Sequence, residues 1–252
     1  MIGIMAAMPE EIDRLVAEMG PVAETISAGM RTYHRGRLWG TPAVLVFSRW
    51  GKVSAATTST HLISDLKVTR IIFSGVAGAV DPDLRIGDVV IAKELYQHDM
   101  DARPLFRRHE IPLLNIMAFP TNIELREALT RASRRFLMDQ INSDIPEAVR
   151  TRFKIISPKA IVKNIASGDK FFASKTEISE LRDRLPVACV EMEGAAVAQV
   201  CHEHSVPLGV IRTVSDAADE GAPIEFSAFV REVASVYSHG IIKNFLQDQG
   251  SE

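Results

Sequence analysis

Short β-branched runs alternate with helix-patterned segments along almost the whole of this chain, and that alternation narrows its possible folds more than any other feature. Apolar runs at residues 2–5, 43–47, 70–74 and 88–95 have the length and composition of buried strands. Helical patterns at 9–18 and 52–66 separate the first of them. The order continues with an amphipathic helix near 122–138, strands near 153–156 and 161–166, and a helix near 173–185. A strand at 187–190 then runs into a small-residue helix, and a strand at 208–211 precedes a final helix near 227–247. Such an order predicts an α/β fold in which a mixed, mainly parallel sheet is flanked by helices on both faces. No Pro/Gly/Ser-rich linker divides the 252 residues, so one domain over 1–252 is expected.

Composition excludes several classes of function. A formal net charge of −3 leaves no basic footprint for nucleic acid. The opening MIGIMAAMPEE enters a strand pattern with neither a basic n-region nor a long apolar run. Neither a signal peptide nor a membrane span is therefore expected, and the reading is cytoplasmic. The two cysteines, Cys189 and Cys201, lie in an apolar strand and a helix end, which suits reduced buried thiols. His202 and His204 alternate at a helix end and do not face one another, so they read as solvated and no metal site is expected.

Chemistry concentrates where carboxylates interrupt apolar sequence. VEMEGAAVAQV (190–200) puts Glu191 and Glu193 at a strand-to-helix junction, the place where ligands bind in open α/β sheets. VIRTVSDAAD (210–219) puts Asp216 beside Ser215 just past an apolar strand. A charge in such a setting needs a partner or a proton. AAMPEEI sets Glu10 and Glu11 at the first turn of a helix, where acids also occur simply because the dipole and free amides stabilise them. FSGVAGAVD (73–81) reads as a strand ending in a Gly-rich turn, which brings backbone close to a ligand or is a plain tight turn. It lacks both the phosphate-loop ending and the full GxGxxG spacing, so no nucleotide cofactor is expected. IASGDKFFAS (165–174) sets Phe171 and Phe172 beside a Ser-Gly-Asp turn, where a ring either packs in the core or covers a flat base.

AAMPEEI, SGVAGAVDPDLRIGDVVIA, SGDKFF, VEMEGAAVA and IRTVSDAAD stand in the order found in the purine nucleoside phosphorylase superfamily. They resemble most the hydrolytic branch, the 5′-methylthioadenosine/S-adenosylhomocysteine nucleosidases. The resemblance spans nearly the whole chain and is weakest between 101 and 160. It implies a single domain with a central, mixed, barrel-like sheet, a homodimer, no cofactor, and a place in methionine salvage. It implies cleavage of the N-glycosidic bond of an adenine nucleoside that bears a 5′-thio substituent.

The same resemblance assigns roles. Asp216 matches the acid that protonates purine N7, and Glu11 the carboxylate that activates water. Glu193 matches the group that binds ribose hydroxyls, with Glu191 and Met192 beside it and Met192 lining the sugar. Phe171 stacks on the purine, and the Phe172 backbone reads the adenine edge. Ser215 orients the acid and Arg212 the water side, while Met8, Val76, Ala77 and Gly78 complete the site. Leu105, Phe106, Ile111 and Pro112, in ARPLFRRHEIPLL (102–114), match the segment that completes the partner subunit's 5′ pocket. Arg107, Arg108 and His109 interrupt that run and suit a carboxylate-bearing 5′ group, or form a solvated rim. Val76 stands where many members carry a hydroxyl that helps to hold the water. Three other readings compete: a phosphorylase, a different adenine-nucleoside hydrolase acting on futalosine, AMP or adenosyl-lipids, and a non-catalytic nucleoside-binding protein. Glu11 in the first-strand loop repels phosphate and suits water.

Overall fold

A computed structural model describes residues 1–20, 24–216 and 222–249. Ten strands form one mixed sheet: β1 (Ile2–Ala6), β2 (Glu24–Ala28), β3 (Arg31–Leu38), β4 (Thr41–Phe47), β5 (Arg70–Ala79), β6 (Val89–Gln97), β7 (Phe119–Pro120), β8 (Ala160–Ser167), β9 (Cys189–Glu191) and β10 (Leu208–Asp216). The α-helices of the described residues are α1 (Asp13–Glu18), α2 (Lys52–Ser64), α3 (Ile123–Arg135), α4 (Ile141–Asp144), α5 (Glu147–Arg152), α6 (Lys175–Arg184), α7 (Gly194–Glu203), α8 (Ala222–Phe229) and α9 (Ser235–Gln249).

Pairing runs β10-β6-β8-β9-β5, and β10 pairs with β5 again, so five strands close into a barrel. From β5 the sheet continues outward through β1, β4, β3 and β2. β1 pairs in parallel with both β4 and β5 and is buried at every position. Strand periodicity then sends alternate residues to opposite faces. Ile4, Ile72 and Ile211 pack with Leu15 of α1, Leu129 of α3 and Phe245 of α9. Their neighbours Met5, Phe73 and Val210 pack with Leu62 of α2 and Ala195 of α7. Helices therefore cover both faces, as the strand-helix alternation predicts.

Two sequence expectations are corrected, and one element is added to them. β5 does not end in a Gly-rich turn but runs on through Gly75 and Gly78 to Ala79, paired with β10 on one side and β9 on the other. Residues 153–156 are not a strand. Lys154 takes a left-handed φ of 56°, its amide bonds to Thr151 at 3.1 Å, and the Ile155 amide bonds to Arg150 at 2.8 Å. That pair of bonds is a Schellman closure of α5, and the apolar Phe153 and Ile155 are buried beneath it. The half-exposed hairpin β2–β3, polar along much of its length, is an addition that the sequence reading did not contain.

Candidate active site

A cavity opens around the ends of β5, β9 and β10. It brings together every residue the sequence assigned to the substrate site within one subunit: Met8, Glu11, Val76, Ala77, Gly78, Phe171, Phe172, Glu191, Met192, Glu193, Arg212, Ser215 and Asp216. Ala7, Trp50, Gly75, Lys170, Val190 and Phe226, which are not among those residues, also line it. Lys170 could have been found inside SGDKFF. Trp50 and Phe226 carry no periodic or motif signal.

Glu11 is the last residue of a short 3₁₀ turn, Pro9–Glu11, that follows β1. Its Oε2 accepts from the amides of Ala7 and Met8 at 3.0 and 2.9 Å, and its buried Oε1 has no hydrogen-bond partner within the protein. Burial drives its pKa up to about 7, against the opposing pull of the Arg212 charge and the Met8 and Ala7 amides. Gly75 supplies the room between Glu11 and Arg212. A Cβ there would lie 3.0 Å from Glu11 Oε1 and 3.2 Å from Arg212 Nη1.

Arg212 is buried on β10, with its guanidinium 4.1 Å from the centroid of the Phe73 ring. Its Nη2 donates to Glu191 Oε2 at 2.6 Å, and Nη1 donates to the carbonyl of Ile211 at 3.1 Å. Glu191 is fully engaged by the protein. Besides Arg212, it accepts from the Ser167 hydroxyl, from the Gly194 amide at 2.8 Å and from the Glu193 amide at 3.2 Å. A buried charge left without such partners costs several kcal/mol, roughly 3–5 when one member of a pair is removed, so this pair fixes the guanidinium.

Glu193 is the residue immediately ahead of α7, where the backbone turns from strand to helix. Its Oε1 accepts from the Gly51 amide at 2.8 Å. Burial first, and the nearby Glu191 charge second, raise its pKa to about 8. Ser215 and Asp216 end β10, and there the register with β5 shifts. Val214 opposes Ala77 and Asp216 opposes Gly78, so Ser215 is an extra residue. Such a bulge re-aims side chains, and these two consecutive residues both line the cavity where a regular strand would send them to opposite faces. The Ser215 hydroxyl donates to Asp216 Oδ2 at 2.6 Å. The 217–219 end of the motif lies outside the described residues.

Phe171 is exposed at the mouth, whereas Phe172 is buried and meets His98 edge-on at 5.1 Å. His202 and His204 are both exposed, as solvated histidines should be, and the His202 ring meets Phe119 edge-on at 5.6 Å. Cys189 and Cys201 are free and buried, and burial pushes the Cys201 thiol up to about 12. Leu105, Phe106, Ile111 and Pro112 lie away from this cavity in the same subunit. Ile111 is buried in its own chain's core and bridges to Ile116. Leu105 is 84% exposed. Arg108 lies 3.7 Å from Asp101, and His109 is buried with Nδ1 3.3 Å from the Gln97 carbonyl, so neither is a free rim charge.

The phosphorylase superfamily profile matches residues 1–247. An aminodeoxyfutalosine nucleosidase of Helicobacter pylori (strain ATCC 700392 / 26695) is 34% identical over 233 residues, which cover 92% of each chain. A 5′-methylthioadenosine/S-adenosylhomocysteine nucleosidase of Colwellia psychrerythraea is 32% identical, covering 97% of this chain and 94% of its own. The solved nucleosidase of Neisseria meningitidis in complex with methylthio-immucillin-A superposes with a TM-score of 0.83 at 31% identity, covering 98% of both chains. A profile match over almost the full length, with relatives above 30% identity that share the barrel, establishes that this chain belongs to the phosphorylase superfamily.

Proposed function

We propose that this protein hydrolyses the N-glycosidic bond of adenine nucleosides of the 5′-methylthioadenosine and S-adenosylhomocysteine class, releasing adenine and the 5′-substituted ribose. The observation that carries this reading is Glu11. It is a buried carboxyl near neutrality with one unpartnered oxygen, set across a Gly75-sized gap from a fixed guanidinium. Such a group takes a proton from water, whereas it would repel phosphate.

The C1′–N9 bond breaks through an oxocarbenium-like state. Phe171 covers the purine and the Phe172 backbone meets its edge, while Asp216, held by Ser215, gives its proton to N7 and makes adenine a neutral leaving group. Glu193 accepts from the ribose hydroxyls, and Met192 packs against the sugar. Glu11 removes a proton from the attacking water as that water's oxygen bonds to C1′. Glu191 serves by holding Arg212. Val76 offers no hydroxyl to the water, so Glu11 and Arg212 orient it. No helix among the described residues is long and apolar enough to cross a membrane. The protein acts as one domain, in the cytoplasm, in methionine salvage, and as a homodimer in which the exposed part of 102–114 approaches the partner's pocket.

The test is incubation of purified protein with 5′-methylthioadenosine, S-adenosylhomocysteine, aminodeoxyfutalosine, adenosine and AMP, with and without phosphate. Adenine and free 5′-thioribose are expected in both conditions. Ribose-1-phosphate products that appear with phosphate would sink the hydrolase reading. Asp216→Asn keeps the shape and loses the proton, so kcat should fall by about 10²–10⁴. Turnover near the wild-type rate by that folded variant would remove Asp216 from the mechanism.

A further inference from the structure

The groups that meet base and sugar depend on two segments remote from each other in sequence. Phe171 and Phe172 lie on the loop 168–174 between β8 and α6. Glu193 accepts from the amide of Gly51, in the turn between β4 and α2. Asp99, just past the end of β6 and not among the residues that line the cavity, ties that loop to that turn.

Its two oxygens take different partners. Oδ2 accepts from the Asp169 amide at 3.0 Å, and Oδ1 accepts from Lys52 Nζ at 2.7 Å. Lys52 Nζ has a longer second bond, to Gln97 Oε1 at 3.3 Å. Asp169 closes the circuit, because its Oδ1 accepts from the Lys52 amide at 2.8 Å. α2 needs that bond from outside, since Gly51 precedes it without a side chain to satisfy the free amides of the first turn. Gly51 also has a left-handed φ of 91°, and a Cβ on it would lie 3.0 Å from Asp169 Oδ1, so the turn is shaped around this carboxylate. On the other side, Gly168 lets the loop lie directly on the end of β6. A Cβ there would strike the His98 ring and come within 2.9 Å of Asp99 Cγ.

Stability alone does not account for this arrangement. The Lys52 and Asp99 side chains are 18% and 31% exposed, and ion pairs so open to water contribute little to folding. What the circuit fixes is the distance between the loop that meets the base and the turn that meets Glu193. Rates respond steeply to such distances, since a misplacement of about 1 Å can cost about 10²-fold.

We infer that Asp99 is a positioning residue for the glycosidic cleavage, holding the base loop and the sugar turn in register through Asp169 and Lys52. This rests on the hydrolase reading and deepens it. The experiment compares the wild type, Asp99→Ala and Asp99→Asn, each checked for folding by circular dichroism and Tm. It measures hydrolysis of 5′-methylthioadenosine and of its 2′-deoxy analogue, and inhibition by adenine. Asp99→Ala should lower kcat/KM for the intact nucleoside roughly ten- to hundredfold. It should raise the inhibition constant of adenine roughly three- to tenfold, the scale of a lost hydrogen bond on the base side. The deoxy analogue should lose less than the intact nucleoside, because it lacks a hydroxyl that a displaced Glu193 would miss. Asp99→Asn keeps one acceptor for the Asp169 amide and offers none to Lys52. Adenine should therefore inhibit it nearly as it does the wild type, while the intact-to-deoxy ratio still falls. An adenine inhibition constant unmoved in folded Asp99→Ala, or equal losses on the two nucleosides, overturns the inference and leaves the hydrolase reading standing. If Asp99→Ala does not fold, Asp99→Asn decides, and an unchanged intact-to-deoxy ratio in it overturns the inference. A wild type that releases adenine from neither nucleoside overturns the hydrolase reading, and the inference falls with it.

Discussion

Glu11 shows how one side chain can hold chemistry and stability in opposition. Its folded pKa of about 7 stands above the ordinary 4.5, so the folded protein keeps a proton that the unfolded chain releases. Stability from this group is therefore complete below about pH 4.5 and is lost as pH rises through about 7. The difference is worth roughly 3 kcal/mol at 1.36 kcal/mol per pKa unit. Glu11→Gln, which can still accept from Ala7 and Met8, should melt higher than the wild type at pH 8, and the gap should close near pH 4.5. A gap that is the same at both pH values would contradict the burial argument. Activity should run the other way. Water activation needs the ionised form, so kcat/KM should rise with pH through about 7, and a flat profile across pH 6–8 would count against Glu11 as the base. The acids of the site were legible in the sequence because a carboxylate is conspicuous in an apolar run. The Arg212–Glu191 pairing was not, since it joins two strands whose adjacency no local pattern announces. Trp50 and Phe226 escaped for a related reason: a lone aromatic in a turn looks alike whether it faces solvent or substrate.

Among the elements, β10 carries most of the site and has least room to change. All nine of its positions are buried. At Gly209 a Cβ would come within 2.6 Å of Leu129 Cδ1 on α3 and 3.0 Å of Ile72 Cδ1 on β5, so glycine lets the helix lie close on the strand. Gly209→Val should overpack this contact and cost about 1–3 kcal/mol, read as a lower denaturant midpoint at unchanged slope. An unchanged midpoint would show that α3 moves away without penalty. Strand cores were readable from their β-branched runs, and the starts of β1, β4, β5 and β8 fall close to the expected positions. The extension of β5 was not, because Gly75 and Gly78 have no side chains with which to display alternation. The β2–β3 hairpin was hidden by half-exposure, since mixed polar residues such as those of Arg31–Leu38 look like loop to any test based on burial. The bulge at Ser215 is set by pairing between distant strands and leaves no mark in local sequence.

For the whole molecule, the exposed apolar side chains of the 102–114 segment bear on assembly. Leu105 and Leu113 are 84% and 85% exposed, a placement that a partner's surface would relieve. Leu105→Asp/Leu113→Asp should convert a dimer in solution to monomer, measured by light scattering, and should lower kcat/KM. A wild-type protein that is monomeric with full activity would end the shared-pocket proposal. The closed barrel has a further consequence for how the chain is made. β5 emerges from the ribosome early, yet the neighbour that completes the ring, β10, is among the last strands synthesised. Until then β5 waits with an unsatisfied edge, and Glu11 has no Arg212 or Asp216 to face. Contacts this remote along the chain slow folding and expose sticky intermediates. Nascent chains stalled before Leu208 should therefore be the ones that chaperones hold, and the site should come into being in a single late step.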